Sequence, residues 1–209
     1  QISKTVTELF YREGLDANIE FMTVGGKTLE IHLNHPPTLD RIRSKEWQII
    51  VLQDQSQVPA LPGKYTRSFH SAVSDFSRLF QQLDHRPTVC LYMTWGRRDG
   101  DSRNQKSFPD FPTMQRKLAE NYRRAARNSG SLVVPVGLAF EAIYGSDKDL
   151  FKSLYAADGS HPSELGAYLV ACVFIETLTN RDAAQIKWNG SLNSSVANVL
   201  KQAAKQTSN

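Results

Sequence analysis

The sequence predicts an α/β sandwich on a parallel sheet, from three observations. Three short apolar runs, "WQIIVLQ", "TVCLYMTW" and "SLVVPVG", have the length and continuity of strands covered on both faces. Each is followed by a stretch with helical apolar spacing, the βαβ alternation that makes parallel sheets. Small or polar residues stand just after the strands, at Gly25-Gly26, Gln53 to Gln57 and Thr94 to Arg98. Ligands gather at that end of a parallel sheet.

Each element follows from its residues. Ile2, Val6, Leu9 and Phe10 share a helical face, and "EGLD" ends that helix at a glycine. "NIEFMTVGG" reads as a short strand over 19–24 closed by two glycines. "TLEIHLN" has room for a short helix, and "HPPTLDRIRSKE" reads as a connector. After the strand at 47–53, "VPALPGK" breaks the pattern. Phe69, Val73, Phe76, Leu79, Phe80 and Leu83 then line one stripe of a helix over 66–84. The second strand leads through the polar "GRRDGDSRNQKSFPDFP" into a basic helix over 112–129. The third leads into the helical "LAFEAIYG". A helix from Pro162 to about Leu178 follows, with Pro162 in its first turn as a start signal. A last amphipathic helix covers Leu192 to Ala204. No repeat or low-complexity linker interrupts the chain, so one domain over 1–209 is expected.

Composition narrows the function. A chain of 209 residues, 40% hydrophobic, suits one sizeable core. No stretch approaches the roughly 20 apolar residues that span a bilayer. The net charge of +4 comes partly from "WGRRDGDSRNQK" and "QRKLAENYRRAARNSG". Acids are interspersed there, so a solvated face is the simpler account and nucleic acid is not the expected partner. Cys90 and Cys172 occupy positions of small buried hydrophobes, where free thiols are the default. No histidine has a Cys or His partner at ligand spacing except His32 and His35, which flank a loop start, so no metal or other cofactor is expected. The sequons at Asn189 and Asn193 matter only in a eukaryotic secretory protein.

Chemistry concentrates in "DGSHPSELGAYLVA". An acid and a histidine three apart, with proline next, lie just before a long apolar helix. Imidazole takes a proton from a hydroxyl nucleophile and returns it to the leaving alcohol, while the acid holds the ring in the right tautomer. One short turn lets Asp158 reach the ring of His161.

The order strand–Gly-Gly, strand–"VLQDQSQ", strand–"MTWG", then "DGSHPSELGAYLVA" resembles the SGNH (GDSL-like) hydrolases, and most their carbohydrate-esterase-like branch. The resemblance implies a three-layer α/β/α sandwich with a flavodoxin-like sheet, and a serine ester hydrolase acting on acyl or acetyl esters, carbohydrate-linked ones among them. Asp158, His161, Pro162 and Gly166 match the family's last block. Gly26 matches the block whose backbone N–H contributes to the oxyanion hole. "VLQDQSQ" is similar to the Gln-Gly-Glu-Ser-Asn form. By that register Gln57 takes the oxyanion position while Gln53 lies at the strand tip, and Gln53 is slightly favoured. Trp95, with Tyr65 and the arginine-rich loop, is a candidate for a substrate cleft.

The family's first block, Gly-Asp-Ser or Gly-Asn-Ser at the end of the first strand, occurs nowhere in the 209 residues. Ser56 and Ser160 do not sit on a strand-to-helix turn of that kind. The family topology sets that strand between those at 19–24 and 47–53. A gap there leaves backbone groups unpaired at about 1–3 kcal/mol each. The expectation is therefore a serine and strand upstream of Gln1 or on a separate segment, and a chain inactive by itself. Two other readings stay open: a non-catalytic carbohydrate- or partner-binding module, and a basic anion-binding protein using Arg97, Arg98, Arg103 and the helix near 116–127.

Overall fold

The computed structural model describes residues 1–179 and 181–207. The predicted domain range of 1–209 thus includes Asn180, Ser208 and Asn209, which lie outside the described residues. The chain is an α/β fold. Its helices are α1 (Ile2–Arg12), α2 (Leu29–Leu33), α3 (Pro36–Arg43), α4 (Lys64–Gln81), α5 (Phe111–Ser129), α6 (Val136–Ser146), α7 (Lys148–Ser153), α8 (Glu164–Thr179) and α9 (Ser194–Lys205). Its strands are β1 (Ile49–Leu52), β2 (Thr88–Tyr92) and β3 (Leu132–Val134). They form one sheet in the order β1-β2-β3, with β1 and β2 parallel and Ile49 opposite Thr88.

Two compact units are present. One comprises Gln1–Phe21, Trp95–Gln115 and Val134–Asn209; the other comprises Met22–Thr94 and Arg116–Val133. The first is organised by α8, whose residues Gly166 through Ile175 are all buried. A helix apolar on every side belongs at the centre of a core. α1 and α9 pack on it with Val6, Leu9 and Leu200, and α6 adds Phe140 and Ile143. Gly166 is there because the backbone comes close. A Cβ at that position would overlap the Leu154 carbonyl and stand 3.0 Å from Pro162 Cβ. Gly166→Ala is expected to lower stability by about 3 kcal/mol, the upper range for overpacking, measured as a drop in the urea midpoint at unchanged slope.

The second unit holds β1, β2 and α4. The α4 stripe of Phe69, Val73, Phe76 and Phe80 is buried. The ring of Tyr122 of α5 lies 4.9 Å from that of Phe69, tilted at 56°.

Four sequence expectations need correction. Residues 19–24 form no strand: the segment from Leu15 to Val24 has no ladder partner, and a strand exists only as part of a ladder. The connector "HPPTLDRIRSKE" contains α3. Its prolines occupy the first helical turn, where the missing N–H costs nothing, and Thr38 and Ile42 repeat four apart on the buried side. β1 is not covered on both faces, since Ile49 and Val51 are 38% and 36% exposed. Both alternate onto one face, and among the described residues β1 pairs only with β2. The helix after Pro162 begins at Glu164. Ser163 is its cap, its hydroxyl accepting from Gly166 N at 3.3 Å.

Both cysteines are buried free thiols. His32 and His35 share Thr38 Oγ1 at 2.9 and 3.0 Å rather than converging on a metal position. Among the described residues no group of three or more His, Cys, Asp or Glu is arranged for a metal. None of the described helices is long and apolar enough to cross a membrane.

Candidate active site

The segment between α7 and α8 folds into a closed loop. Ala156 N donates to His161 O at 2.9 Å and Ser163 N donates to Leu154 O at 2.8 Å. Tyr155 and Pro162 form an antiparallel bridge. At the tip, Gly159 takes φ 64°, the left-handed region that favours glycine. Asp158 Oδ1 accepts the backbone N–H of Ser160 and of His161, both at 2.9 Å. This is a side chain closing a turn on its own backbone.

The second oxygen of Asp158, Oδ2, lies 2.6 Å from His161 Nδ1. The bond from His161, then the backbone N–H groups of Ser160 and His161, hold this carboxyl well below the usual carboxylate range. An ionised carboxylate only accepts, so Nδ1 carries the proton. The lone pair of Nε2 is thereby left to take a proton from another group. The His161 side chain is 81% exposed and among the described residues its ring makes no other hydrogen bond, so that edge is open.

The stretch after β2 straps this loop. Trp95 Nε1 donates to Ser160 O at 3.1 Å and Arg98 N to Gly159 O at 2.9 Å. Tyr155 donates its hydroxyl to Gly96 O at 2.7 Å. Trp95 is 8% exposed and stacks on Phe140 at 4.6 Å and 5°. The geometry therefore gives it a part in holding Ser160, a role not legible from an aromatic after a strand. Gly96 N is bound in turn by Gln115 Oε1 at 2.9 Å. The basic loop is organised by Asp101, which is 1% exposed and accepts from Arg97, from Arg103 N and from Asn104. Arg98 is paired with Asp99.

Gly26, Gln53 and Gln57 belong to the other unit. Gly26 takes φ 69° in the turn closed by Lys27 N donating to Val24 O, and space is open around it. The backbone N–H groups of Gly25 and Gly26 bind nothing among the described residues. Gln53, just past β1, is exposed, and its side-chain amide has no partner among the described residues. Gln57 accepts from Gln55 Nε2 at 3.1 Å through its own Oε1.

Sequence reading passed over Asp54, which the structure makes prominent. It is 1% exposed, and Oδ1 accepts from Leu29 N at 3.3 Å and from Gln55 N at 2.7 Å. Among the described residues Oδ2 has no hydrogen-bond partner. Burial pushes the carboxyl up to about 6, with the Glu30 charge adding to the rise and the Gln55 and Leu29 N–H groups opposing it. The folded state thus binds this proton more tightly than the unfolded chain, whose value is near the ordinary 3.8. The stability tied to it is full below that value and falls as pH rises through about 6. A shift of about two units corresponds to about 3 kcal/mol. Asp54→Asn carries no such proton. Urea unfolding between about pH 4 and about pH 7 should show the variant gaining on the wild type by up to about 3 kcal/mol as pH rises.

A scan of family models finds no match to this sequence, and a comparison with curated proteins finds none either. Solved structures do match. A DUF4886 family protein from Bacteroides uniformis superposes with a TM-score of 0.84 at 17% identity, over 98% of this chain and 90% of that one. A protein from Slackia heliotrinireducens described as a candidate SGNH hydrolase gives a TM-score of 0.67 at 26% identity, over 82% and 89%. A candidate GDSL-like lipase from Parabacteroides merdae gives 0.59 at 15%, over 82% and 78%. The fold of this chain is SGNH-like.

Proposed function

We propose that the chain is a single SGNH-like domain of a serine ester hydrolase, acting on acyl or acetyl esters with carbohydrate-linked esters among the candidate substrates. The observation that carries the reading is the 2.6 Å bond between Asp158 and His161 Nδ1 beside an open Nε2. The likeness to a candidate SGNH hydrolase and a candidate GDSL-like lipase supports the reaction class.

In this reading Nε2 of His161 takes the proton of a serine hydroxyl as Oγ attacks the ester carbonyl. The N–H of Gly26 and a glutamine amide, Gln53 in preference to Gln57, donate to the oxyanion of the tetrahedral intermediate. Collapse breaks the bond to the alkoxy oxygen, and His161 returns the proton to the departing alcohol. Water then attacks the acyl-serine by the same route and releases the acid. Asp158 keeps the imidazole oriented and offsets its charge while it holds two protons.

The serine is proposed to come from outside Gln1–Asn209, on a strand that joins the sheet beside β1. Among the described residues β1 pairs only with β2, and the edge this leaves supports the placement. One observation favours the second reading, a non-catalytic carbohydrate- or partner-binding module: no described hydroxyl bonds His161. Hydrolysis of p-nitrophenyl acetate by a protein that includes the segment upstream of Gln1, against its His161→Ala variant, separates the two. Catalysis lost in the variant supports the hydrolase. Equal background rates support the binding module.

A further inference from the structure

We infer that Asp54 is the positioning residue of the oxyanion side, its buried carboxyl fastening the helix after the Gly25-Gly26 turn to the carboxyl end of β1. The inference rests on the hydrolase reading for what is positioned, and on geometry within one unit for how.

Asp54 lies two residues past β1, and its Oδ1 receives N–H groups from two places 26 residues apart. Gln55 N continues the strand tip that carries Gln53. Leu29 N opens α2, and Leu29 is itself buried at 3% exposure. Thr28 caps the same helix through Oγ1 to Ile31 N. Lys27 N closes the turn just before it. The path from Gly25 to Leu29 is therefore short and tied at both ends. Loosening Leu29 releases the turn whose free N–H groups are the candidate oxyanion donors.

Burial makes the residue unusual. A carboxyl removed from water with one oxygen unpartnered is costly unless neutral or paired, and a solvated serine or asparagine also bonds a helix start. Asp54 Oδ2 lies in the same interior as the Thr94 and Tyr122 hydroxyls, and Tyr122 is close enough to feel its charge. A proton on Oδ2 removes the cost of a buried charge and leaves Oδ1 free to accept both N–H groups. The clamp thus holds with the acid neutral, and asparagine reproduces its accepting oxygen.

The test compares wild type, Asp54→Ala and Asp54→Asn. Amide hydrogen exchange is followed by NMR on the 209-residue chain, and kcat and KM for p-nitrophenyl acetate on the protein with its upstream segment. Asp54→Ala is expected to cut protection of the Leu29 amide at least tenfold while amides of the β1–β2 ladder keep theirs. It should lower kcat about tenfold or more with KM within about twofold, since the interaction lost acts in the transition state. Asp54→Asn should restore Leu29 protection and most of kcat, which a general loss of folding would not allow. Unchanged Leu29 protection in Asp54→Ala overturns the clamp. So does loss of protection across Leu29 and the ladder together. Unchanged kcat despite a freed Leu29 overturns the positioning role. A wild type that shows the exchange pattern without ester hydrolysis sinks the hydrolase reading and leaves the clamp standing.

Discussion

His161→Ala is expected to lower kcat for an activated acetyl ester by about a thousandfold or more, with KM little changed. No other described side chain takes over the proton transfer at that position, because among the described residues the ring's one hydrogen-bond partner is Asp158, already an acceptor from Nδ1. The substitution should leave the fold intact. The side chain is 81% exposed, and its backbone carbonyl, which receives Ala156 N, survives in alanine. Thermal unfolding within a degree or two of wild type, together with the lost turnover, is the expected pair of results. Equal turnover rejects the assignment of His161 as general base and acid.

Replacing Asp158 should have the next largest effect, and the two natural substitutions should differ. Asp158→Ala removes the acceptor at Nδ1 and the turn bonds to Ser160 and His161, yet a serine–histidine pair keeps part of the chemistry. A loss of about a hundredfold in kcat is expected, less than for His161→Ala. Asp158→Asn is expected to be at least as damaging. An amide turned to donate toward the ring favours the proton on Nε2, the tautomer that cannot accept from serine, and such a change elsewhere costs about ten thousandfold. Steady-state kinetics on both variants checks the order. The low-lying titration of Asp158 adds a sign. Its depressed folded value keeps the carboxylate ionised as pH falls through the ordinary carboxylate range, so acid inactivation there does not arise from this group.

How much of this was legible beforehand depends on how local each signal is. Asp158, His161, Pro162 and Gly166 lie within nine residues, and their spacing encodes a turn followed by a helix. Reading α8 as a core helix needed only its unbroken apolar run, and reading α4 only its aromatic stripe. The failures are tertiary. Residues 19–24 alternate like a strand, but a ladder partner cannot be read from one segment. Ile49 and Val51 look like core because apolar character does not say which face another element covers. Asp54 follows Gln53 in what reads as a polar loop. Its burial comes from Leu29, Thr94 and Tyr122, residues 25 to 68 positions away, which no window around "VLQDQSQ" contains. Trp95 was legible as an aromatic at a strand end. Its bond to Ser160 joins residues 65 apart, and so its role was not.

The central claim is a serine hydrolase whose His161 activates a nucleophile from outside the 209 residues. Labelling with a fluorophosphonate, followed by peptide mapping in a mass spectrometer, tests it most directly. The account predicts one modified serine, in a segment other than Gln1–Asn209, and loss of that label in His161→Ala. The 209-residue chain alone should stay unmodified. A label on Ser56 or Ser160, or none on the protein with its upstream segment, would contradict it.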